Sequence, residues 1–254
     1  MGIVKLVSVA VSADMLEEGL SYPFNGDSAL GRIIIGGLLG FGSFLIVPAI
    51  ALMGYLVWVL DGAARGEEEP PAFENWGDMI VDGLKATAVT IVYGIVPFVL
   101  MLISIFVAGS GGTTGNETAT GILGGIGLLG LLLSFVALFV LYYLIPAALT
   151  NMALEDDFGA AFDFNTIKQV ILSGDYLVAW LIPFVLAAGV QILLTAVTFV
   201  LVLSIVGILA LPLLLIVGPF IQFYVQVAAF YMFGVAFGKV VDVPGAVTED
   251  SAAL

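Results

Sequence analysis

The sequence predicts an all-α integral membrane protein, a helical bundle that crosses the bilayer several times. Of the 254 residues, 61% are hydrophobic and only 10% are charged, against about 25% in an ordinary soluble domain. No Asp, Glu, Lys or Arg occurs in four long stretches, at residues 33–60, 86–116, 118–154 and 176–238. Because about 20 apolar residues cross a bilayer, each stretch is long enough, and the last can cross twice.

The first stretch, residues 33–60, allows two interpretations. It is longer than one upright helix needs, and glycines interrupt its first half. If residues 30–44 and 45–64 form a hairpin, its helices reach only about 22 to 30 Å at about 1.5 Å per residue, so the first barely spans or re-enters. One long tilted helix is the alternative. We favour the hairpin, which makes six apolar segments where the single helix makes five.

Polar stretches at residues 61–85 and 155–175 precede the later pairs of spans. Each contains apolar residues three or four positions apart, such as Ile80 and Leu84 in the first, where Met79 stands beside Ile80, and Ile167, Val170 and Ile171 in the second. That spacing places them on one helix face and leaves the charged residues for the other. We therefore expect interfacial amphipathic helices at residues 73–85 and 164–175, before the chain enters the membrane.

The chain repeats one plan, which consists of an interfacial helix, a span, a loop and a returning span. The sequence therefore predicts internal hairpin repeats. Both outgoing spans contain Pro-Phe-Val-Leu, at residues 97–100 and 183–186. The predicted domains are an N-terminal polar segment (1–28), a single transmembrane domain (29–238) and an acidic cytoplasmic tail (239–254) that we expect to be disordered. Met15 is as good a start for the chain as Met1.

The excess of acidic over basic residues limits the partners that the protein can bind. Twenty acidic residues against six basic ones give a net charge of −14. This excludes nucleic acid as a partner, because its phosphates require Lys and Arg. An acidic surface with few lysines is typical of proteins in concentrated salt, where screening weakens self-repulsion. We therefore predict a halophilic, acidic proteome; an acidic surface that binds a basic partner is the alternative.

The basic residues predict the orientation in the membrane. With the repeat topology all six lie on one side: Lys5, Arg32, Arg65, Lys85, Lys168 and Lys239. Because positive residues stay cytoplasmic, we expect a multi-pass protein of the cell membrane with both termini in the cytoplasm. Asn116 begins the one glycosylation sequon and lies in a loop assigned to the outside, so it is a candidate glycosylation site.

Several segments resemble one known family. The resemblance is sharpest over residues 20–85 and extends to about residue 238. Its motifs are Tyr22-Pro23-Phe24, Ile35-Gly36-Gly37-Leu38-Leu39, Phe44-Leu45-Ile46-Val47-Pro48, Gly54-Tyr55-Leu56-Val57, Arg65-Gly66-Glu67, Pro70-Pro71-Ala72-Phe73, Trp76-Gly77-Asp78 and Asp82-Gly83-Leu84-Lys85. Together they resemble the haloarchaeal membrane-protein family catalogued as domain of unknown function 4013. That resemblance implies a helical membrane fold and a halophilic archaeal origin, and it implies no active residues.

The repeated plan is also similar to the membrane region attached to some glycerophosphodiester phosphodiesterases. These 254 residues contain no soluble catalytic domain of that kind, so the enzyme activity is not carried over.

The residue types exclude most enzymatic chemistry. The chain has no Cys and no His, which excludes thiol nucleophiles, Cys/His zinc sites and imidazole catalysis. Its spans contain no Asp, Glu, Lys or His that could relay protons across the membrane. Acidic runs at residues 67–69 and 155–157 suit a hard cation, but we interpret them as solvated loops. We predict no enzyme activity, no catalytic residue, no metal site and no cofactor.

The strongest polar signal inside the spans is a set of four residues: Gln191, Gln222, Tyr224 and Gln226. Gln222 and Gln226 share a helix face. Hydrogen bonding between helices is the first interpretation, and a polar cavity for a substrate is the alternative.

Glycine pairs four residues apart allow close contact between helices. They are Gly36 with Gly40, Gly121 with Gly125, and Gly234 with Gly238. We interpret them as internal packing, with dimerisation as the alternative; no oligomeric state is predicted.

Two functions follow. The first is a non-enzymatic scaffold or accessory protein that organises membrane lipids or other membrane proteins through its interfacial helices, with Trp76, Asp78 and Asp82 as candidate docking residues. The second is a small transporter or channel for an uncharged or lipid-like solute. A water-filled path lined by the Gln and Tyr residues favours the second, and a dry, lipid-filled centre favours the first.

Overall fold

A computed structural model describes residues 14–113 and 115–246. The described residues are almost entirely helical and contain no β-strand. Five of their helices are long and apolar enough to cross a membrane, so the predicted all-α, multi-spanning fold is confirmed. Residues 1–13 of the predicted N-terminal segment, Met1 included, and residues 247–254 of the predicted tail lie outside the described residues.

The helices in the described part of the chain are numbered in order. They are α1 (residues 14–21), α2 (Ala29–Phe41), α3 (Ile46–Ala64), α4 (Trp76–Gly111), α5 (Glu117–Glu155), α6 (Phe164–Ile171), α7 (Gly174–Val202) and α8 (Ile205–Val241). Short 3₁₀ turns lie at Tyr22–Phe24, Gly42–Phe44 and Phe158–Phe162.

The chain turns between α2 and α3. After α2 ends at Phe41, a 3₁₀ turn occupies Gly42–Phe44, and Leu45 has an extended backbone with φ −95° and ψ 145°. An extended residue interrupts the helical hydrogen bonds, so α3 starts in a new direction at Ile46. The first apolar stretch is therefore two helices and not one long tilted helix.

Contacts with α8 show that α2 and α3 are antiparallel. The contacting pairs are Gly36 with Phe223, Gly40 with Pro219, Tyr55 with Phe223, and Ala64 with Gly238. Residue numbers rise along α2 as they fall along α8, whereas they rise together along α3 and α8. This confirms the favoured hairpin.

One of the two expected amphipathic helices is separate, and the other is not. α6 is separate, and the Asp163 carboxylate caps it. The hydrogen bond from the Thr166 hydroxyl, followed by that from the Asn165 amide, lowers the pKa of Asp163 and keeps its cap charged. Ser173 then caps α7. The other expected helix, at residues 73–85, is not separate, because from Trp76 onward it is the start of the continuous α4.

The described residues divide into two compact units by their internal contacts. One lies within Ala88–Ile145, and the other holds the described residues before and after that range. In the larger unit, α3 is the most buried helix, and Val59, Leu60 and Ala64 have almost no exposed surface. In the smaller unit, Gly127 of α5 lies against Ala108 of α4. Many large apolar side chains of both units are exposed, as expected of helices that face lipid.

The larger unit is packed or helical at both of its described ends. In the described part of the N-terminal segment, Tyr22 stacks on Tyr231 with ring centroids 4.0 Å apart, and Gly19 lies against Met232. At the other end α8 continues to Val241, and the predicted domain limits stay predictions.

Candidate functional site

Asp82 is the centre of a charged network at the polar ends of α3 and α4. Its carboxylate accepts a hydrogen bond of 2.9 Å from the Trp58 indole and one of 3.0 Å from the Lys85 ammonium group. Lys85 also pairs with Asp156 at 3.3 Å. A small cavity of about 130 Å³ lies among these side chains and that of Asp61. The network therefore links α3, α4 and the segment that follows α5.

Arg65 extends the network at the end of α3. Its guanidinium pairs with Asp61 at 2.9 Å and donates to the carbonyl oxygen of Leu154 at 3.1 Å. Half-exposed ion pairs contribute at most about 1 kcal/mol each, so the network positions helix ends more than it stabilises the fold. No group of metal-ligating side chains placed to hold an ion is found among residues 14–113 and 115–246.

Sequence reasoning missed this network. The available signal was Trp58, because a buried indole N–H in a span usually has a hydrogen-bond acceptor. The nearest charges in sequence, Asp61 and Arg65, are one and two turns away on the same helix. The actual acceptor, Asp82, lies on the next helix.

The three candidate docking residues have different environments. Trp76 is 42% exposed at the start of α4, and its ring packs on Phe73 with centroids 5.8 Å apart. Asp78 is exposed and, in the described part of the chain, its side chain has no hydrogen bond or ion pair. Asp82 is half-buried and is bound to Trp58 and Lys85. Trp76 and Asp78 are therefore both exposed at the start of α4, and Asp82 belongs to the interior network.

Three of the four predicted intramembrane polar residues come together. The Gln222 amide donates to the Gln191 side-chain oxygen at 3.3 Å, and Gln222 and Gln226 line one cavity of about 420 Å³. Tyr224 is apart, since its hydroxyl donates to the carbonyl oxygen of Leu20. Two residues along an α-helix turn the side chain by about 200°, so Tyr224 faces away from both glutamines.

Asn116 caps α5. Its side-chain oxygen accepts hydrogen bonds from the backbone amides of Thr118 at 2.9 Å and Ala119 at 3.2 Å. Asn116 is exposed, and its glycosylation stays a prediction.

These features define a class of protein. It is a multi-spanning helical membrane protein with a charged network at the polar ends of α3 and α4 and an uncharged cavity among its spans. The chain belongs to the family described as a protein of unknown function, DUF4013, whose model matches residues 41–199. This confirms the resemblance to that family. No curated protein and no solved structure matches the chain.

Proposed function

We propose that the protein is a non-enzymatic scaffold or accessory protein of the cell membrane, and that it docks a basic partner protein on the exposed start of α4. The observation that carries the proposal is that neighbouring residues differ in exposure and in hydrogen bonding. Asp82 is bound within the network, whereas Trp76 and Asp78 are exposed. Exposed tryptophans are frequent anchors of protein interfaces.

The length of α4 supports this position for a docking surface. Its uncharged part, residues 86–111, is about 39 Å long at about 1.5 Å per residue, which is more than a hydrocarbon core of about 30 Å requires. The first turns of the helix, with Trp76 and Asp78, therefore lie in the polar layer or beyond it.

The charge of this surface favours a basic partner. Glu74 is exposed beside Trp76 and Asp78, and Glu67, Glu68 and Glu69 are exposed in the same polar segment. A surface on which acidic residues are concentrated attracts a basic partner. Such charge complementarity determines the specificity of binding more than its affinity. We also propose membrane lipids as partners of the apolar exterior. The net charge of −14 supports a halophilic source, and the resemblance stated from the sequence supports an archaeal one.

The docking surface is tested by replacing Asp78 with Lys while a photo-crosslinking residue stands at Glu74 in native membranes. We expect the adduct with the partner to fall at least tenfold, because reversed charge repels a basic surface. Asp175→Lys is the matched control, since Asp175 is an exposed carboxylate in the first turn of α7; it should keep the adduct.

Asp82→Asn should lower the melting temperature and keep the adduct, since Asp82 belongs to the network. The proposal is wrong if Asp78→Lys retains the adduct of the parent protein, or if the parent protein forms none.

Orientation is tested with single cysteines, which the Cys-free chain makes unambiguous. A cysteine at exposed Thr113 should react with an impermeant maleimide added outside intact cells, whereas one at exposed Ala72 should react only after lysis. The physical reason is that the basic segments stay cytoplasmic. Labelling of Ala72→Cys in intact cells would overturn the orientation with both termini cytoplasmic.

A small transporter or channel for an uncharged or lipid-like solute is the second candidate. The observation that favours it is the cavity lined by Gln222 and Gln226. Transport requires that the cavity be hydrated and reached from both sides, and a dry cavity that holds lipid supports the scaffold instead.

A further inference from the structure

We propose that the cavity of about 420 Å³ beside α8 is a binding site for an uncharged, lipid-like molecule that enters from the bilayer. The cavity is bordered by the end of α2 and the hairpin turn, by α3, by α7 and by α8; Gly40, Ser43, Leu194, Gly218, Gln222 and Gln226 are among its lining residues. The inference does not depend on the docking surface, because Trp76 and Asp78 do not line the cavity.

The depth of the cavity follows from the length of the hairpin. Between Ile46 and Asp61, the first charged residue of α3, the helix rises about 23 Å at about 1.5 Å per residue. With Asp61 at one interface, the hairpin turn stops short of the opposite side of a core of about 30 Å. The turn itself is apolar and exposed, with Phe44 79% and Ile46 78% exposed. Ser43, and the cavity wall it forms, therefore lie inside the hydrocarbon layer.

Small residues leave the space open. The stretch of α8 along the cavity contains Gly218 and Pro219. A Cβ on Gly218 would meet no atom within 4 Å, and a Cβ on Gly40 would only touch Pro219 at 3.4 Å. The volume is in the range of small-molecule sites, which is about 300 to 1,000 Å³.

The polar wall indicates what the occupant must offer. Gln222 is bonded to Gln191, whereas the Gln226 side chain, one turn along α8, has no hydrogen bond within residues 14–113 and 115–246. An amide left without a partner in hydrocarbon costs several kcal/mol. A hydroxyl, ether or carbonyl group of the occupant would satisfy it.

The remaining wall excludes a charged occupant. None of the residues that line the cavity is ionisable at neutral pH, and most are leucine, glycine, proline or phenylalanine. A charged group in such surroundings would have no counter-ion, so nothing would offset the free-energy cost of its desolvation. The ligand class is thus an uncharged molecule with an apolar chain and one hydrogen-bonding group, as in a neutral glyceride.

The test uses the full chain in phosphatidylcholine nanodiscs and a monoacylglycerol with a diazirine in its acyl chain. We expect adducts on the peptide of α8 that contains residues 214–226. Gly218→Leu fills the cavity and should lower this labelling at least tenfold. Gly189→Leu is the matched control, because a Cβ on Gly189 also meets no atom within 4 Å and Gly189 does not line the cavity.

A second variant addresses the hydrogen bond and keeps the test valid if Gly218→Leu fails to fold. Gln226→Leu preserves the bulk of the side chain and should lower monoacylglycerol labelling by about tenfold, the value of one good hydrogen bond, while labelling by a diazirine-bearing alkane of equal length is unchanged. The lysophosphatidic acid with the same acyl chain should label α8 at least tenfold less than the neutral probe. Equal labelling of Gly218→Leu and Gly189→Leu, an anionic probe as effective as the neutral one, or no effect of Gln226→Leu would overturn the proposal.

Discussion

Adding one methyl group at Gly54 or at Gly83 is expected to separate α3 from α4 and to unfold this part of the protein. A Cβ on Gly54 would overlap the carbonyl oxygen of Met79, and a Cβ on Gly83 would overlap that of Ile50. The obstructing atoms belong to helix backbone on both sides, so no side-chain rotation relieves the overlap. Overpacking costs about 1 to 3 kcal/mol where side chains can adjust, and we expect about 3 kcal/mol or more here.

Intrinsic fluorescence during thermal melting measures this effect, because Trp58 donates a hydrogen bond to Asp82 beside the same crossing. Gly94→Ala is the matched control. Gly94 lies in α4 and a Cβ there meets no atom within 4 Å, so the change should be neutral or should gain up to about 1 kcal/mol of helix propensity. If Gly54→Ala and Gly94→Ala melt at the same temperature, the close crossing of α3 and α4 does not exist.

The double change Gly234→Ala with Gly238→Ala is expected to have the second-largest effect, by separating α8 from α3. A Cβ on Gly234 would lie 2.5 Å from the Leu60 oxygen and 2.7 Å from the Ala63 Cβ, and one on Gly238 would overlap the Ala64 oxygen. Because α3 is the most buried helix of its unit, we expect a loss of about 2 to 4 kcal/mol and a clear fall in the melting temperature.

The matched control for that change is Gly121→Ala with Gly125→Ala, which has the same spacing in α5. A Cβ on either glycine meets no atom within 4 Å. Light scattering should be recorded with the melting curve. If the pair at residues 234 and 238 serves dimerisation and not internal packing, the double change would lower the particle mass while the melting temperature of the monomer stays constant.

Local features of the sequence predicted the first hairpin and α6. Gly36, Gly37, Gly40 and Gly42 interrupt an apolar run too long for one span, and the structure breaks the helix at residues 42–45. α6 has an Asp163 cap and, within eight residues, a polar face and an apolar face. Such signals are local, because capping bonds and backbone conformation involve residues two to four positions apart.

At the start of α4 the structure differs from the prediction of a separate helix. Residues 73–85 have the amphipathic pattern of an interfacial helix, yet from Trp76 onward they continue as one helix into the span. Their apolar residue Met79 is fully buried, and its carbonyl oxygen lies against Gly54 of α3. An amphipathic pattern shows only that one face is apolar, and it does not distinguish a lipid surface from a neighbouring helix.

The sequence by itself determined the membrane class, the excess of acid and the absence of Cys and His, because these depend only on which residues are present and how far apart they stand along the chain. The tertiary structure alone decided which polar residues meet. Asp82 is bound to Trp58 across two helices, Gln191 joins Gln222 across a separation of 31 residues, and Tyr224 leaves the predicted cluster for Leu20. Those pairings depend on how whole helices rotate and cross. The close backbone contacts at Gly54, Gly83, Gly234 and Gly238 set that geometry. The sequence of a helix does not indicate its rotation unless its apolar residues lie strongly on one side.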